Sequence, residues 1–200
     1  MIAIINYGVG NLFSIKRSLE YIGCDSVITD DGKVIRQADH IILPGVGAFG
    51  DAVLKLRATG LDATAKEQAA RGVPLLGICV GMQMLFDESL EYGTHEGLHL
   101  IPGQVVRIEA GEGLKIPHIG WNALEILRPH PVFQGVGEGA HVYFVHSYHA
   151  ACAAEDVIAR TDYGIPITAA VARENVVGCQ FHPEKSGNTG LRILKNFSQM

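Results

Sequence analysis

The sequence predicts an α/β fold with a mostly parallel central sheet, covered by helices on both faces and extended by antiparallel strands in the C-terminal half. Short apolar runs alternate with helical patterns in the first half, and strand follows strand after about Gln104. The chain has 200 residues with 48% hydrophobic content, enough for a sizeable core, and contains no stretch typical of a linker. We therefore expect a single domain over residues 1–200.

The first half has the rhythm of strands and helices in alternation. We expect strands at 2–6, 26–29, 40–43 and 75–78, and helices at 11–23, 49–60 and 61–72. In the first helix, Leu12, Ile15 and Leu19 fall on one face, and Gly23 provides the stop signal. Alternation of this kind builds a parallel sheet, and active sites in such sheets lie at the carboxyl ends of the strands.

The second half predicts consecutive strands, at least some of them antiparallel, before a last helix. We expect these strands at 104–108, 122–127, 141–148, 157–162, 167–173 and 176–182, and the helix at 189–197.

Composition argues against several classes of partner and of structural site. A net charge of -5 and a pI near 6.0 argue against nucleic acid or an anionic membrane as the main partner. The opening segment, MIAIINYGVGN, is too short an apolar run for a signal peptide, and no later segment approaches a membrane span, so we expect a cytoplasmic protein. The four cysteines contain no CxxC pair, which predicts neither a disulfide framework nor a zinc site.

Cys79 is the candidate nucleophile. The apolar strand Leu75–Ile78 delivers it into a corner flanked by Gly77 and Gly81, just before a helical pattern. Glycines at such a corner permit unusual backbone angles and leave room for a ligand. The positive end of the helix dipole and a nearby imidazolium would favour the thiolate. We interpret the other three cysteines as small apolar residues.

His182, in the motif FHPEK, is the best partner for that thiol among nine histidines. Pro183 pushes His182 toward an extended conformation, in which Glu184, two residues on, projects to the same side. The carboxylate can then hold one imidazole nitrogen while the other faces the thiol. An isolated His-x-Glu is usually an incidental surface turn, so the catalytic interpretation depends on the corner at Cys79.

A glycine-rich loop, PGVGAFG, follows the strand at 40–43. Free amides in this loop can stabilise a developing oxyanion, and the amide of Val80 would be the second donor. Gly45, Gly47 and Gly50 also spell the dinucleotide-binding pattern GxGxxG. That interpretation is weaker, because a further helix stands where an acidic residue at the end of a strand should follow.

The motifs GICVGMQ, FHPEK and PGVGAFG resemble those of class I, triad-type glutamine amidotransferases, which hydrolyse glutamine and pass ammonia to a synthase. Within that class, NYGVGNLFSIKRSLE, PHIGWN and VYFVHSYH resemble the glutaminase subunits of imidazole glycerol phosphate synthase. The motifs follow the expected order from Asn6 to Gly187. The resemblance implies a flavodoxin-like fold, a triad of Cys79, His182 and Glu184, and neither a cofactor nor a metal.

The resemblance also implies a substrate site and a partner. The residues that would surround L-glutamine are Gly45, Val46, Gly47, Val80, Gln83, Ser147 and Tyr148. The partner would be a cyclase subunit, a TIM barrel in a heterodimer, which uses the ammonia to make imidazole glycerol phosphate and aminoimidazole carboxamide ribonucleotide in histidine biosynthesis. The residues that would face it are Asn11, Trp121, Asn122 and Lys185.

Several of these residues have simpler interpretations. Gln83 would be an exposed residue on a first helical turn, Ser147–Tyr148 an ordinary strand end, and PHIGWN a turn packed on the core. His146 and His149 are three residues apart on an extended strand and hence on opposite faces, which argues against a metal site. The competing protein classes are amidotransferase subunits of other pathways, a cysteine peptidase or gamma-glutamyl hydrolase, and a regulatory binding module without activity.

Overall fold

The computed structural model describes residues 1–111 and 113–200. Its strands are β1 (Ile2–Ile5), β2 (Ser26–Thr29), β3 (His40–Gly45), β4 (Leu75–Cys79), β5 (Glu88–Ser89), β6 (His95–Glu96), β7 (Gly103–Arg107), β8 (His118–Ala123), β9 (Glu125–Ile126), β10 (His141–His146), β11 (Tyr148–Cys152), β12 (Val157–Asp162), β13 (Pro166–Arg173) and β14 (Val176–Cys179). The α-helices are α1 (Leu12–Tyr21), α2 (Gly32–Arg36), α3 (Phe49–Ala58), α4 (Leu61–Ala70), α5 (Val80–Gln83) and α6 (Gly187–Phe197).

The predicted α/β architecture is confirmed. The main sheet has eight strands in the order β2-β1-β3-β4-β14-β13-β12-β9. The five strands from β2 to β14 pair parallel, and β13, β12 and β9 extend the sheet with antiparallel pairs. Helix α1 packs on α6, whereas α4 packs on α2 and α3, so the helices flank the sheet in two groups. This is the mixed sheet that the two halves of the sequence predict.

Two smaller sheets lie beside the main one. Strands β8 and β10 form an antiparallel ribbon, and β11, β7, β5 and β6 form a second sheet of four strands. The prediction of one strand over 141–148 was wrong, because the chain bends at Ser147 and Tyr148 begins a strand of the other sheet. The simpler interpretation of PHIGWN as a turn does not hold either, since His118–Ala123 pairs along the whole of β10.

The helix after Cys79 is shorter than the pattern Met82, Met84, Leu85, Phe86 predicts. It ends at Gln83 because the next carbonyl groups accept hydrogen bonds from a neighbouring loop: Met84 O bonds to Leu98 N, and Leu85 O to Leu100 N, both at 2.8 Å. The apolar side chains still point into the core. A helix of four residues supplies only a small dipole at Cys79.

The core is formed by buried apolar side chains from all parts of the chain, including Ile4, Ile42, Leu76, Phe144 and Phe197. Parallel strands β1, β3 and β4 are buried along almost their whole length, which explains why their sequences are continuous apolar runs. Among the helices in the described part of the chain, none combines the length and the apolar character needed to span a membrane.

Candidate active site

Three neighbouring parallel strands, β3, β4 and β14, end at the same edge of the main sheet. The loop after β3 holds Val46 and Gly47, β4 ends in Cys79, and the segment after β14 carries His182. The fold thus brings a thiol from the middle of the chain to the same edge as an imidazole near its end. This is the edge at which open α/β sheets place their active sites.

Cys79 occupies a backbone conformation that side chains rarely adopt, with φ 55° and ψ -112°. Such a conformation costs about 1–3 kcal/mol and persists only when the surroundings impose it. Here α5 is pressed against β3: a Cβ on Gly81 would overlap the Leu43 carbonyl oxygen, and a Cβ on Gly77 would lie 2.7 Å from Met82 Cα. The glycines therefore allow the sharp turn that places the thiol above the end of β4.

His182 and Glu184 are in direct contact, with His182 Nδ1 2.8 Å from Glu184 Oε1. Both side chains are buried. The reason given from sequence was only partly right: His182 is extended, at φ -98° and ψ 100°, but Pro183–Lys185 forms a 3-10 turn that returns Glu184 to the imidazole. Asn11 Nδ2 donates to the same Oε1 at 3.1 Å, and Glu184 Oε2 meets no donor among the residues described.

The backbone of His182 is fixed from two sides. Its N–H donates to the Tyr143 carbonyl at 2.9 Å, and its carbonyl accepts from Ser186 Oγ at 2.6 Å. Ser186 Oγ in turn accepts from Tyr143 N at 2.9 Å. The ring of His182 is therefore supported by β10 through its backbone, as well as by Glu184 through Nδ1.

The electrostatics of the site favour a charged imidazole. Burial lowers the pKa of His182, but hydrogen bonds and charge interactions with Cys79 and Glu184 outweigh it and raise the pKa to about 9. Since Nδ1 is bonded to Glu184, the interaction with Cys79 involves Nε2. A charged imidazole beside the thiol is the environment that a cysteine nucleophile needs.

A cavity of about 170 Å³ opens above these groups. Its lining includes residues from the glycine loop, from the corner at Cys79 and from the segment Ser147–Tyr148, all of which carry predicted site residues. The lining residues are Val46, Gly47, Cys79, Val80, Gln83, Glu91, Val145, His146, Ser147, Tyr148 and His182. The volume suits a ligand of the size of an amino acid rather than a dinucleotide.

Gln83 is buried rather than exposed, contrary to its simpler interpretation. Its Nε2 donates to the Tyr148 carbonyl at 3.1 Å and to Gln180 Oε1 at 3.0 Å. Gln180 is buried as well, and its own Nε2 lies 3.7 Å from Cys79 Sγ. A short chain of amides thus connects the bend at Tyr148 with the thiol.

The glycine loop is held from below by Tyr7. The Tyr7 hydroxyl donates to the Pro44 carbonyl at 2.7 Å. Burial, together with charge interaction with Cys79, raises the pKa of Tyr7. Gly45 ends β3 and packs against Val80, whereas Gly47 has a φ of +88°, a left-handed conformation that glycine adopts without strain.

The residues expected to face a partner lie on one side of the site. Trp121 is 64% exposed and packs edge to face on Tyr143, with ring centroids 4.9 Å apart. Lys185 Nζ lies 5.5 Å above the same Tyr143 ring. Asn11 and Asn122 are only half-exposed, and both direct their amide nitrogen toward groups of the protein itself.

Sequence reasoning missed several residues that the structure places in or beside the cavity: Tyr7, Glu91, Val145, His146, Gln180 and Ser186. Gln180 could have been predicted, since it lies two residues before His182 on an extended segment and therefore on the same side. Glu91 gave no signal, because it lies in an irregular loop. Its carboxylate accepts from Phe49 N at the start of α3, at 2.6 Å.

Other parts of the structure offer weaker candidates. A larger groove, of about 600 Å³, is lined by Leu127, Arg128 and Phe133 and adjoins the edge strand β9, away from Cys79 and His182. Across residues 1–111 and 113–200 there is no group of three or more His, Cys, Asp or Glu side chains suited to holding a metal ion.

Known structures share this fold. A structure described as a glutamine amidotransferase has a TM-score of 0.77 at 20% sequence identity, with 100% of both chains covered. The structure of PurLQS from Thermotoga maritima has a TM-score of 0.73 at 21% identity, covering 98% of this chain and 96% of that chain. At such low identity these likenesses establish the fold alone.

Sequence comparisons are more specific. The family model "Glutamine amidotransferase class-I" matches residues 3–200. The imidazole glycerol phosphate synthase subunit HisH of Syntrophotalea carbinolica is 52% identical over 206 aligned positions, with 100% of both chains covered. The subunit of the same name from Geobacillus kaustophilus is 50% identical, covering 98% of this chain and 95% of the relative. The chain therefore belongs to the class I glutamine amidotransferases and, within them, to the family of HisH subunits.

Proposed function

We propose that the protein hydrolyses L-glutamine to glutamate and ammonia, with Cys79 as nucleophile, His182 as acid and base, and Glu184 as the residue that orients His182. The observation that carries this proposal is the buried bond between His182 Nδ1 and Glu184 Oε1, beside the cavity that Cys79 and His182 both line. The arrangement provides a nucleophile, a base and a group that holds the base in one orientation.

In the first half of the reaction, Cys79 Sγ adds to the side-chain amide carbon of glutamine. The oxyanion that forms would accept hydrogen bonds from backbone amides of Val80 and of the loop Gly45–Gly47. His182 then gives its proton to the amide nitrogen, the carbon–nitrogen bond breaks, and ammonia leaves. A γ-glutamyl thioester remains on Cys79.

In the second half, His182 accepts a proton from water, and the hydroxide adds to the thioester carbonyl. The carbon–sulfur bond breaks, glutamate leaves, and the thiolate is restored beside the protonated imidazole. Glu184 stabilises the imidazolium in both halves. The chain's own groups thus complete the turnover, with water as the only other reactant.

The cavity supports glutamine as the substrate because its far end is polar. Gln83, whose two Nε2 hydrogens are used by Tyr148 and Gln180, would turn Oε1 toward the α-ammonium group. The Glu91 carboxylate would add a negative charge there. Backbone groups at Ser147 and Tyr148 would hold the α-carboxylate. A substrate with both an α-ammonium and an α-carboxylate group would fit this pattern.

We further propose that the chain acts as one domain and binds a cyclase subunit, a TIM barrel, in a cytoplasmic heterodimer. The relatives are named as subunits of imidazole glycerol phosphate synthase. Exposed Ile119 and Trp121, with Tyr143 and Lys185 beside them, form an apolar surface with one positive charge next to the triad. Ammonia would pass from the triad to the cyclase for histidine biosynthesis, with L-glutamine as the nitrogen source.

Replacement of the thiol tests the proposal. In the presence of the cyclase subunit, Cys79→Ala should abolish release of glutamate, and His182→Ala should be nearly as damaging. Cys24→Ala, which changes a half-buried cysteine, is the matched control and should retain activity. Turnover by Cys79→Ala near that of the unchanged protein would remove Cys79 from its role. Hydrolysis of peptides without a partner would instead indicate a peptidase.

A further inference from the structure

Two buried histidines lie next to the proposed glutamine site and have no part in the mechanism above. His118 on β8 and His146 on β10 are directly opposite each other in the ribbon, and both are buried. His118 Nδ1 is 3.1 Å from His146 Nε2. The ring of His118 is stacked between Phe144 and Tyr163, at centroid distances of 4.7 and 4.1 Å, which fixes its plane.

The groups around the two rings determine which nitrogen donates and which accepts in each of their hydrogen bonds. His146 Nδ1 is 2.8 Å from the Tyr148 carbonyl, which can only accept, so Nδ1 carries the hydrogen. Nε2 of the neutral ring is then an acceptor and receives the hydrogen of His118 Nδ1. His118 Nε2 is left to accept from Asn122 Nδ2 at 3.4 Å.

This geometry requires both rings to be neutral. A proton added to His146 would make its Nε2 a donor that faces the N–H of His118. A proton added to His118 would likewise make its Nε2 a donor that faces Asn122 Nδ2. Burial lowers the pKa of His118 to about 4 and that of His146 to about 3, in agreement with the neutral state. The hydrogen bonds therefore run in one fixed direction, from Asn122 through His118 and His146 to the Tyr148 carbonyl.

The Tyr148 carbonyl is the point at which this series meets the site. It accepts from His146 on one side and from Gln83 Nε2 on the other. Gln83 also donates to Gln180, whose Nε2 lies 3.7 Å from Cys79 Sγ. Without the bond from His146, the bend would still be tied to the neighbouring segment through Ile108 N and Ser147 O, but the Tyr148 carbonyl would lose one of its two side-chain partners and hold Gln83 less firmly.

We propose that His118 and His146 are positioning residues: they hold the bend at Tyr148, and through it Gln83, in the geometry that receives the amino-acid end of glutamine. This inference rests on the proposed glutaminase function and deepens it. The series begins at Asn122 on β8, the strand that presents Trp121 to the surface. The position of β8 and the shape of the glutamine site are thus connected through two rings.

The test compares two reagents that label Cys79. One is 6-diazo-5-oxo-L-norleucine, which has the amino-acid end of glutamine, and the other is iodoacetamide, which lacks it. His146→Leu should lower the rate of labelling by the first reagent about tenfold, the typical effect of losing a buried hydrogen bond. Labelling by iodoacetamide should change less than about twofold. The KM for glutamine should rise in parallel, with a smaller change in kcat.

Rescue separates positioning from simple packing. In His146→Asn, the side-chain amide lies where Nδ1 stood and can still donate to Tyr148, so most of the labelling rate should return. His118→Leu removes the donor to His146 and should have a smaller effect, about threefold. Leucine in a polar site can impair folding. His146→Gln, whose amide lies near the position of Nε2 and not of Nδ1, then removes the bond to Tyr148 with a polar side chain and allows the same comparison with His146→Asn. His149→Leu is the matched control, because His149 Nδ1 has no hydrogen-bond partner in the described part of the chain.

A double-mutant cycle identifies the residue through which His146 acts. If it acts through Gln83, then Gln83→Ala combined with His146→Leu should be no worse than Gln83→Ala alone. Additive effects, or equal labelling ratios in His146→Leu and the unchanged protein, would overturn the inference. Failure of the unchanged protein to react with 6-diazo-5-oxo-L-norleucine, while iodoacetamide still labels it, would instead refute the proposed glutaminase function.

Discussion

The imidazole of His182 is held by Glu184 through a 2.8 Å bond between Nδ1 and Oε1, and solvent reaches neither side chain to more than a trace. Asn11 adds a second donor to the same oxygen at 3.1 Å. A carboxylate shared by an imidazole and an amide fixes both the tautomer and the ring plane of the histidine. Glu184 thus provides both an orientation and a negative charge to the imidazole, and substitution can separate these two contributions.

Glu184→Gln should preserve much of the packing but remove the charge that stabilises the imidazolium. We expect kcat for glutamine hydrolysis to fall by about ten-thousandfold, the loss found when the acid of a catalytic triad is replaced by its amide. Steady-state release of glutamate, measured with the cyclase subunit bound, provides the value. Glu138→Gln, at an exposed carboxylate, is the control. A loss of less than about threefold would mean that Glu184 has no electrostatic part in catalysis.

Stability should depend on pH through His182. Its folded-state pKa, about 9, lies above the ordinary value of 6.5. The folded protein therefore keeps a proton that the unfolded chain releases, so this stabilisation is complete below about pH 6.5 and is lost as the pH rises through about 9. Urea denaturation between pH 6 and pH 9.5 should detect it. In His182→Gln the fall in unfolding free energy over this interval should be smaller, and an unchanged slope would contradict the assignment.

Cys79→Ala and Glu184→Gln should each lower the pKa of His182, because each removes one of the two groups that raise it. Nuclear magnetic resonance of the imidazole, with the ring labelled, measures the pKa directly. The substitution Cys152→Ala, at a cysteine outside the cavity, should leave the value unchanged. A pKa of His182 that does not respond to Cys79→Ala would place the thiol beyond the reach of the ring.

Tyr7→Phe should destabilise the glycine loop while the aromatic ring keeps its packing. It removes the hydrogen bond to the Pro44 carbonyl and leaves a buried acceptor unpaired, which costs about 1–3 kcal/mol of unfolding free energy. Because Pro44 precedes the loop at Gly45–Gly47, kcat should fall as well. Tyr21→Phe, at a residue of α1 that is 81% exposed, should change neither quantity. Unchanged stability in Tyr7→Phe would show that the bond contributes nothing net.

Trp121→Ala should weaken binding of the cyclase subunit. Exposed aromatic side chains at the centre of an interface commonly contribute about 2 kcal/mol or more, so Kd should rise at least tenfold. Titration calorimetry measures Kd, and labelling of Cys79 in the isolated subunit should stay unchanged. Leu54→Ala, at a side chain that is 62% exposed on α3, is the control for loss of apolar surface. Equal affinities would place the interface elsewhere.

The order of elements and the location of the site were predictable because they depend on local patterns. Buried parallel strands such as Leu75–Cys79 are continuous apolar runs, and the carboxyl ends of such strands mark the site. The contact of His182 with Glu184 was predicted for a partly incorrect reason, since the 3-10 turn after Pro183 accomplishes what an extended chain was expected to do.

Long-range pairing limited the prediction elsewhere. Whether PHIGWN is a turn or a strand depends on its pairing with β10, which lies later in the chain. Its alternating apolar residues, Ile119 and Trp121, are exposed and do not mark a face that packs on the core. The bend at Ser147 is invisible in VYFVHSYH for the same reason, because two different sheets compete for adjacent residues. Glu91 reaches the cavity from an irregular loop, and no periodic signal marks such a position.

The nucleophile itself occupies the strained backbone position at the end of β4. Glycine would adopt φ 55° and ψ -112° with ease, so at this position the residue most favourable for folding is one that has no sulfur. Selection for heat resistance alone would tend to replace the nucleophile by glycine and yield a sturdier but inert protein. Laboratory evolution of this chain toward thermostability therefore has to be coupled to a screen for ammonia release.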